Sequence, residues 1–247
     1  MSLTPFLHVD TPLRERRAGD EIVLDAEVRR HVRTVLRLAE GAECRVADGA
    51  GASAPAVLLG EGARLRADAT YEPPPTPRLV VAQALAKGRR FDDVVRAGTE
   101  LGADAFVPVV ATRSVVRLEG KADRVVARWD AVARAAAEQS RRRHRPQVSS
   151  PRTVAELAEQ VGLLVAHPGG APLPTVVTEL RGVEQCVVAV GPEGGWTDAE
   201  VRDLLARGAR TVGLGPNVLR TEHAAAAALA VLGACTGRWD VAAGPAD

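Results

Sequence analysis

Residues 187–197 read Val187-Val188-Ala189-Val190-Gly191-Pro192-Glu193-Gly194-Gly195-Trp196-Thr197. The opening run has no polar residue and is rich in valine, which suits a strand buried on both faces; the proline and glycines that follow end it. Thr197 with Glu200 has capping-box spacing, in which each side chain satisfies an unpaired backbone N–H of a first helical turn, so a helix starts there. In open α/β sheets ligands bind outside the carboxyl ends of strands, where this turn lies. Taken alone, a G-P-x-G-G turn is equally an ordinary strand-to-helix connection. It is neither a G-x-G-x-x-G fingerprint nor a Walker loop, so it carries no specific indication of pyrophosphate.

The same grammar recurs further along. Leu214-Gly215-Pro216-Asn217-Val218-Leu219-Arg220-Thr221-Glu222-His223-Ala224 follows the run Thr211–Leu214 and precedes an alanine-rich helix over Ala224–Cys235. Arg220, Thr221 and Glu222 would set a fixed cation, a hydroxyl and a carboxylate at the sheet edge reached by the first turn. Read singly, Thr221 is equally an N-cap and Arg220 a surface charge. The alanine-rich helix is apolar nearly all round, which predicts burial within the domain or against a second subunit.

Upstream, the runs Leu79–Ala82, Ala105–Val110, Leu163–Ala166 and Cys186–Val190 alternate with amphipathic segments. Those segments carry Phe91, Val94, Val95 and Leu101; Val125, Trp129 and Val132; Leu157 and Val161; and Val201, Leu204 and Leu205. Alternating β and α units with continuous apolar strands predict a mostly parallel sheet covered on both faces. Thr153 with Glu156 marks a second capping box, and Gly102, Gly162 and Gly208 stand where left-handed helix ends belong.

Glu72-Pro73-Pro74-Pro75-Thr76-Pro77 breaks the pattern, because clustered prolines favour an extended connector. We read residues 1–72 as one domain, 73–77 as the linker and 78–247 as a second domain. Before the linker, Glu21–Leu24, Cys44–Ala47, Pro55–Leu59 and Arg64–Ala69 are short strand-like segments split by turns such as Asp48-Gly49, which predicts a small β-barrel or curled sheet. One helix interrupts it: Asp25 caps a segment whose Val28, Val32, Val35 and Leu36 recur at helical spacing, with Arg29, Arg33 and Arg37 in a stripe beside them.

Composition limits the function classes. The chain has 247 residues, 32 Lys plus Arg against 31 Asp plus Glu, and 46% hydrophobic residues, which fits one or two globular domains and not a protein that coats nucleic acid indiscriminately. Aromatics make up 3%, too few for base stacking across a sheet. The three cysteines, Cys44, Cys186 and Cys235, form no C-x-x-C pair and the five histidines no H-x-x-x-H pair, so neither a disulfide framework nor a metal is expected. No secretory signal or membrane-spanning run is visible, and a cytoplasmic location is expected.

Cations do cluster locally. Glu138-Gln139-Ser140-Arg141-Arg142-Arg143-His144-Arg145 closes a helix at Pro146, and part of that charge is accounted for by the helix dipole. Lys87, Arg89, Arg90, Arg113 and Arg117 lie near strand ends and can track a phosphate backbone.

With those residues in view, the sequence resembles the RsmE-type ribosomal RNA small subunit uridine N3-methyltransferases of the SPOUT superfamily over nearly the whole chain. The resemblance rests on residues 30–37 (Arg-His-Val-Arg-Thr-Val-Leu-Arg), Thr99-Glu100-Leu101-Gly102, Arg113-Ser114, Glu138-Gln139-Ser140 with Arg142, Gly191–Gly195, and Leu219-Arg220-Thr221-Glu222. Ala97, Arg141, Asn217 and His223 depart from the pattern, which usually has Lys, Gly, Arg and Thr there.

The resemblance implies a PUA-like barrel followed by a SPOUT domain tied in a C-terminal trefoil knot, acting as a homodimer. It implies S-adenosylmethionine as cofactor, held by Gly191, Pro192, Glu193, Gly194 and Gly195 and by Leu214, Gly215, Val218, Leu219, Arg220 and Thr221, with His167 in a third turn. It further implies methylation of N3 of a specific uridine in 16S ribosomal RNA, with Arg29, Arg33, Arg37, Lys87, Arg89, Arg113 and Arg142 on the RNA. Arg220 is then the cation beside the uracil carbonyls, and Glu138 or Glu222 the proton acceptor. Ribose 2′-O or guanine N1 methylation, or a noncatalytic RNA-binding module, are the alternative readings.

Overall fold

The structure, a computed structural model, describes residues 4–114, 118, 120–180 and 182–240. Arg117 lies outside the described residues. The chain forms two compact units, one from the described part of Met1–Pro74 together with Ala137–Arg145, the other from Pro75–Ala136 and Pro146–Ala242. Among the described residues no helix is long and apolar enough to cross a membrane.

The first unit is a mixed sheet. Its strands are β1 (Phe6–His8), β2 (Glu21–Val23), β3 (Glu43–Ala47), β4 (Ala52–Leu59), β5 (Gly62–Leu65) and β6 (Thr70–Tyr71), and α1 (Ala26–Arg30) follows β2. The order is β1-β3-β4-β5-β2, with β6 also on β4; β1 runs parallel to β3 and the other pairs are antiparallel. The Asp48-Gly49 turn joins β3 to β4, and its carboxylate accepts from the N–H groups of Leu13, Ala50 and Ala52 at 3.1, 2.9 and 3.0 Å. Leu7, Leu13, Cys44, Val46 and Leu65 fill the core.

Asp25 caps α1 as expected, accepting from Glu27 and Val28 N–H at 2.9 Å. The helix does not continue regularly: residues His31–Val35 form a π-turn, with Leu36 N–H reaching back to the His31 carbonyl. The widened turn changes the angle between successive side chains, so Val28 and Val32 are buried while Val35 and Leu36, expected beside them, are 65% and 37% exposed. Arg37 ends the segment in the left-handed region at φ 53°. Arg141, which stands where the family pattern has glycine, has φ 57°, and its guanidinium donates to the Thr4 carbonyl at 2.9 Å.

The second unit contains β7 (Arg78–Ala84), α2 (Arg90–Glu100), β8 (Ala105–Val110), α3 (Ala122–Gln139, whose end belongs to the first unit), β9 (Gln147–Val148), β10 (Arg152–Thr153) and α4 (Val154–Leu157). It continues with β11 (Leu163–Pro172), α5 (Leu173–Glu179), β12 (Gln185–Val190), α6 (Asp198–Ala206), β13 (Arg210–Gly213) and α7 (Thr221–Cys235). The strands pair in parallel throughout, in the order β10-β8-β7-β12-β11-β13 with β9 also on β8.

Period-two alternation divides each strand between two apolar layers. Leu79, Val81, Phe106, Leu164, Val188 and Val212 meet side chains of α2, α3, α5 and α7, including Phe91, Val95, Trp129, Val176 and Leu229. Val80, Ala82, Val107, Val165, Val187 and Ala189 meet Leu157 of α4, Leu204 of α6 and Trp196. Both capping boxes form, and Gly102 and Gly208 are left-handed just past α2 and α6.

Three expectations need correction. α4 is a single turn, so Val161 lies beyond it at 86% exposure, and Gly162 turns the chain into β11 instead of capping a helix. Leu205 is 42% exposed on the outer side of α6. β11 extends well past Ala166, with a register shift between Ala166 and Ala171.

α7 packs on α2, where Gly98 brings the helix onto the sheet: a Cβ there would fall 2.6 Å from the Phe106 ring and 3.4 Å from Leu229. Gly98→Ala, which improves helix propensity by about 1 kcal/mol, is therefore expected to destabilise the chain, overpacking of a filled core costing about 1–3 kcal/mol. Urea denaturation of the two proteins checks the sign.

Candidate active site

Parallel strands discharge their turns at one edge, and the turns after β12 and β13 meet there with a turn inside β11. Ala166-His167-Pro168-Gly169-Gly170, the segment from Val190 to Trp196, and Gly213 to Glu222 together enclose a cavity of roughly 1040 Å³. Every residue expected to hold the cofactor lines it: His167, Gly191, Pro192, Glu193, Gly194, Gly195, Leu214, Gly215, Val218, Leu219, Arg220 and Thr221. Arg90, Gly169, Gly170 and Trp196 also line it, and they were not expected to do so. The Gly169-Gly170 pair carried the signal: a Cβ on Gly170 would fall 2.6 Å from the Val212 backbone, an approach only glycine permits.

The first turn is held from several directions. Gly195 N–H donates to the Pro192 carbonyl at 2.8 Å and the residue sits at φ 68°. A Cβ on Gly191 would touch the Trp196 indole at 3.2 Å, and the buried Trp196 Nε1 has no hydrogen-bond partner among the described residues. Arg113, which is exposed, donates to the carbonyls of Gly194 and Trp196 at 2.7 and 3.3 Å. Arg90 forms an ion pair with Glu193, whose carboxylate also accepts from Lys87 N–H at 3.4 Å. Partial burial pushes the Glu193 carboxyl up, but hydrogen bonds from its own and the Lys87 N–H and from Arg90, with that cation's charge, hold it below the usual range.

Beneath the turn, buried Glu200 accepts from Thr112 N–H at 2.8 Å and from Thr197 N–H and Oγ1 at 2.7 and 2.9 Å, fixing the Arg113 loop against the start of α6. The second turn ends at α7, whose first residue, Thr221, is not its N-cap; Arg220 is. The Thr221 hydroxyl donates to the Gly191 carbonyl at 2.7 Å, tying the two turns together. Arg220 is exposed at the cavity wall and Glu222 half-buried beside it.

Other expected residues lie elsewhere. Glu138 does not line the cavity; it belongs to the first unit, where its carboxylate accepts from His8 N–H at 2.9 Å. Arg142 is in that unit too, its carbonyl 2.9 Å from His8 Nε2. On α1 and its π-turn Arg29 pairs with Glu61 at 2.5 Å, while Arg33 and Arg37 are exposed. Lys87 and Arg89 are exposed on the turn after β7. Among the described residues no group of three or more His, Cys, Asp or Glu could hold a metal ion, and burial pushes the Cys44 thiol up to about 11, far from a reactive thiolate.

A parallel sheet with a glycine-walled cavity at its carboxyl edge is the setting of a nucleotide-cofactor enzyme, and residues 72–233 match the family described as RNA methyltransferase domain. The chain is 37% identical over 238 residues to ribosomal RNA small subunit methyltransferase E of Mycobacterium bovis, covering 91% of this chain and 90% of that one. It is 36% identical to the Bacillus subtilis protein of the same name over 63% of this chain and 65% of that one. The chain belongs to the ribosomal RNA small subunit methyltransferase E family.

Solved structures agree. Ribosomal RNA small subunit methyltransferase E from Neisseria gonorrhoeae, bound to S-adenosyl methionine, superposes with a TM-score of 0.82 at 26% identity, covering 94% of this chain and 97% of that one. A methyltransferase from Legionella pneumophila with bound S-adenosylmethionine gives 0.82 at 26%, covering 94% and 98%.

Burial opposes ionisation of Glu200, yet its hydrogen bonds from Thr112 and Thr197 outweigh that and lower its pKa. A lowered folded pKa means its stabilisation is complete above the ordinary carboxyl range, about 4.3, and is lost as pH falls through that range toward the folded value. Glu200→Gln sets an amide N–H against a donor and is expected to cost about 1–3 kcal/mol at neutral pH and to flatten the acid limb of the stability curve. Denaturant midpoints measured across the acid range test both.

Proposed function

We propose that this chain transfers a methyl group from S-adenosylmethionine to N3 of a uridine in 16S ribosomal RNA. The observation that carries the reading is the single cavity formed by three glycine-bearing turns at one sheet edge, with Arg220 and Glu222 in its wall. The residues present fit the cofactor. The cavity has the size of a small-molecule site, its walls are largely backbone and apolar side chains, Gly191 and Gly194 leave no Cβ in the way, and Trp196 Nε1 is a buried donor awaiting an acceptor.

When bound, the cofactor supplies an electrophilic methyl on its sulfonium. The protein has to align the uracil nitrogen with the S–CH3 bond and dispose of the N3 proton. Arg220, fixed at the start of α7, is positioned to stabilise the negative charge that develops on the uracil carbonyls as N3 loses its proton. Glu222 is the preferred proton acceptor, since it shares the cavity with Arg220 and the Glu138 carboxylate accepts a backbone hydrogen bond in the first unit. A base stacked in a duplex is out of reach, so the uridine is presented unstacked in a folded ribosomal site.

The family membership supports the remaining parts of the proposal: a PUA-like first domain over residues 1–72 that docks RNA, a linker at 73–77, a trefoil-knotted SPOUT domain over 78–247, a homodimer and a cytoplasmic location. The exposed Arg33 and Arg37 are the principal RNA-docking cations of that first domain, assisted there by Arg29 and, outside residues 1–72, by Lys87, Arg89, Arg113 and Arg142.

Calorimetric titration with S-adenosylmethionine and mass mapping of ribosomal RNA after incubation with labelled cofactor test the activity; a methyl on a ribose or on guanine would overturn the uridine assignment. Arg220→Ala is expected to lower turnover at saturating cofactor by about 10²–10³-fold, the scale found for removing one transition-state donor. Charge reversal of both Arg33 and Arg37 should weaken RNA binding and reduce its salt slope by about 1 for each phosphate no longer neutralised, read from filter binding over a salt series.

A further inference from the structure

The turns after β12 and β13 must hold a fixed separation, yet β11 lies between those strands, so no ladder hydrogen bond sets the distance between them. A buried side chain from a fourth strand does. Gln83, near the end of β7 and 1% exposed, stands opposite Val190 of β12 and Pro108 of β8. Its Nε2 donates to Thr221 Oγ1 at 2.7 Å and to the Ala84 carbonyl at 3.2 Å, and Thr221 Oγ1 in turn donates to the Gly191 carbonyl at 2.7 Å.

The polarity of this relay is fixed without sight of a hydrogen atom. A carbonyl only accepts, so the Ala84 oxygen requires the nitrogen end of the Gln83 amide to face it. That nitrogen then also donates to Thr221, and the one hydroxyl proton is left for Gly191. Among the described residues Gln83 Oε1 meanwhile is buried with no partner, an arrangement that costs stability and that an aliphatic side chain would avoid. What the amide provides in return is a pair of donors.

From this geometry we infer that Gln83 is a positioning residue of the cofactor cavity, acting through the Thr221 hydroxyl to lock the Gly191 turn to the start of α7. Gln83 does not line the cavity itself. Thr221 does, and it lies between Arg220 and Glu222, so the relay sets the candidate cation and carboxylate against the glycine turn. The inference rests on the reading of that cavity as the S-adenosylmethionine site.

The test is calorimetric binding of S-adenosylmethionine, with turnover on RNA and thermal unfolding measured alongside, for the unaltered chain and for Gln83→Met, Gln83→Glu, Thr221→Ser and Thr221→Val. Gln83→Met is expected to keep or raise the melting temperature while weakening cofactor binding about tenfold, the scale of one well-placed hydrogen bond. Gln83→Glu should weaken it further, because a carboxylate draws the Thr221 proton away from Gly191 and faces the Ala84 oxygen. Thr221→Ser, which keeps the hydroxyl, should bind more tightly than Thr221→Val, which is of equal shape but lacks it. Should one Gln83 variant fail to fold, the other decides. Cofactor binding by the folded Gln83 variants within about twofold of the unaltered chain overturns the relay, being smaller than any net hydrogen-bond contribution. Absence of binding by the unaltered chain overturns the cofactor reading itself, a result distinguishable from the first.

Discussion

Parallel pairing of β11 with β12 on one side and β13 on the other is the constraint on which the site depends. Three parallel neighbours release the chain at the same edge, whereas one antiparallel strand among them would send its turn to the far edge and leave the cavity without a wall. The pairing persists because both faces of these strands are apolar and covered, as a parallel sheet requires. Its closest point is between β11 and β13, where a Cβ on Gly170 would fall 2.6 Å from Val212 backbone and one on Gly213 would fall 2.8 Å from the Gly170 carbonyl. The glycines of this region thus serve the strand contact as well as the cavity wall.

Much of this was legible before any coordinates. Valine-rich runs such as Cys186–Val190 identify fully buried strands, and Thr197 with Glu200 marks the turn into α6 to the residue, since those signals depend on local chemistry that tertiary context rarely reverses. The two turns that frame the cavity are legible for the same reason. The late part of β11 was not, because His167-Pro168-Gly169-Gly170 carries turn residues whose extended path is imposed by contact with β13. Val35 and Leu36 misled for a related reason: helical spacing assumes a constant angle per residue, and a π-turn breaks that assumption without any signature in composition. Glu138 sits in a family motif, but motif spacing says nothing about which unit takes up its carboxylate.

Arginines show the same limit in electrostatic form. Sequence counts them as cations available to a polyanion, and the fold sorts them. Arg29 is paired with Glu61, Arg90 with Glu193, and Arg113 is taken up by two carbonyls of the glycine turn. Arg33, Arg37, Arg89 and Arg220 stay exposed. The near-neutral net charge of +1 is thus compatible with binding RNA, because affinity for phosphate follows the cations left facing solvent and not the total.

The sorting also separates two tasks that a methyltransferase must perform at one edge. Holding a cofactor calls for rigid, close-approaching backbone, and the internal ties made by Arg113, Glu200 and Thr221 supply that rigidity where the glycines themselves cannot. Stabilising a transient charge calls for a cation already in place when the charge appears, so that little reorganisation is needed. In the proposed reaction Arg220 is that cation, and it is the N-cap residue of a long helix packed on the sheet, its backbone fixed by the element that follows it. A guanidinium with the same reach on a free loop would lose much of its effect to the entropy of finding the base. The alanine-rich helix α7, with the least informative sequence in the chain, is therefore what holds the exposed charge of Arg220 in place.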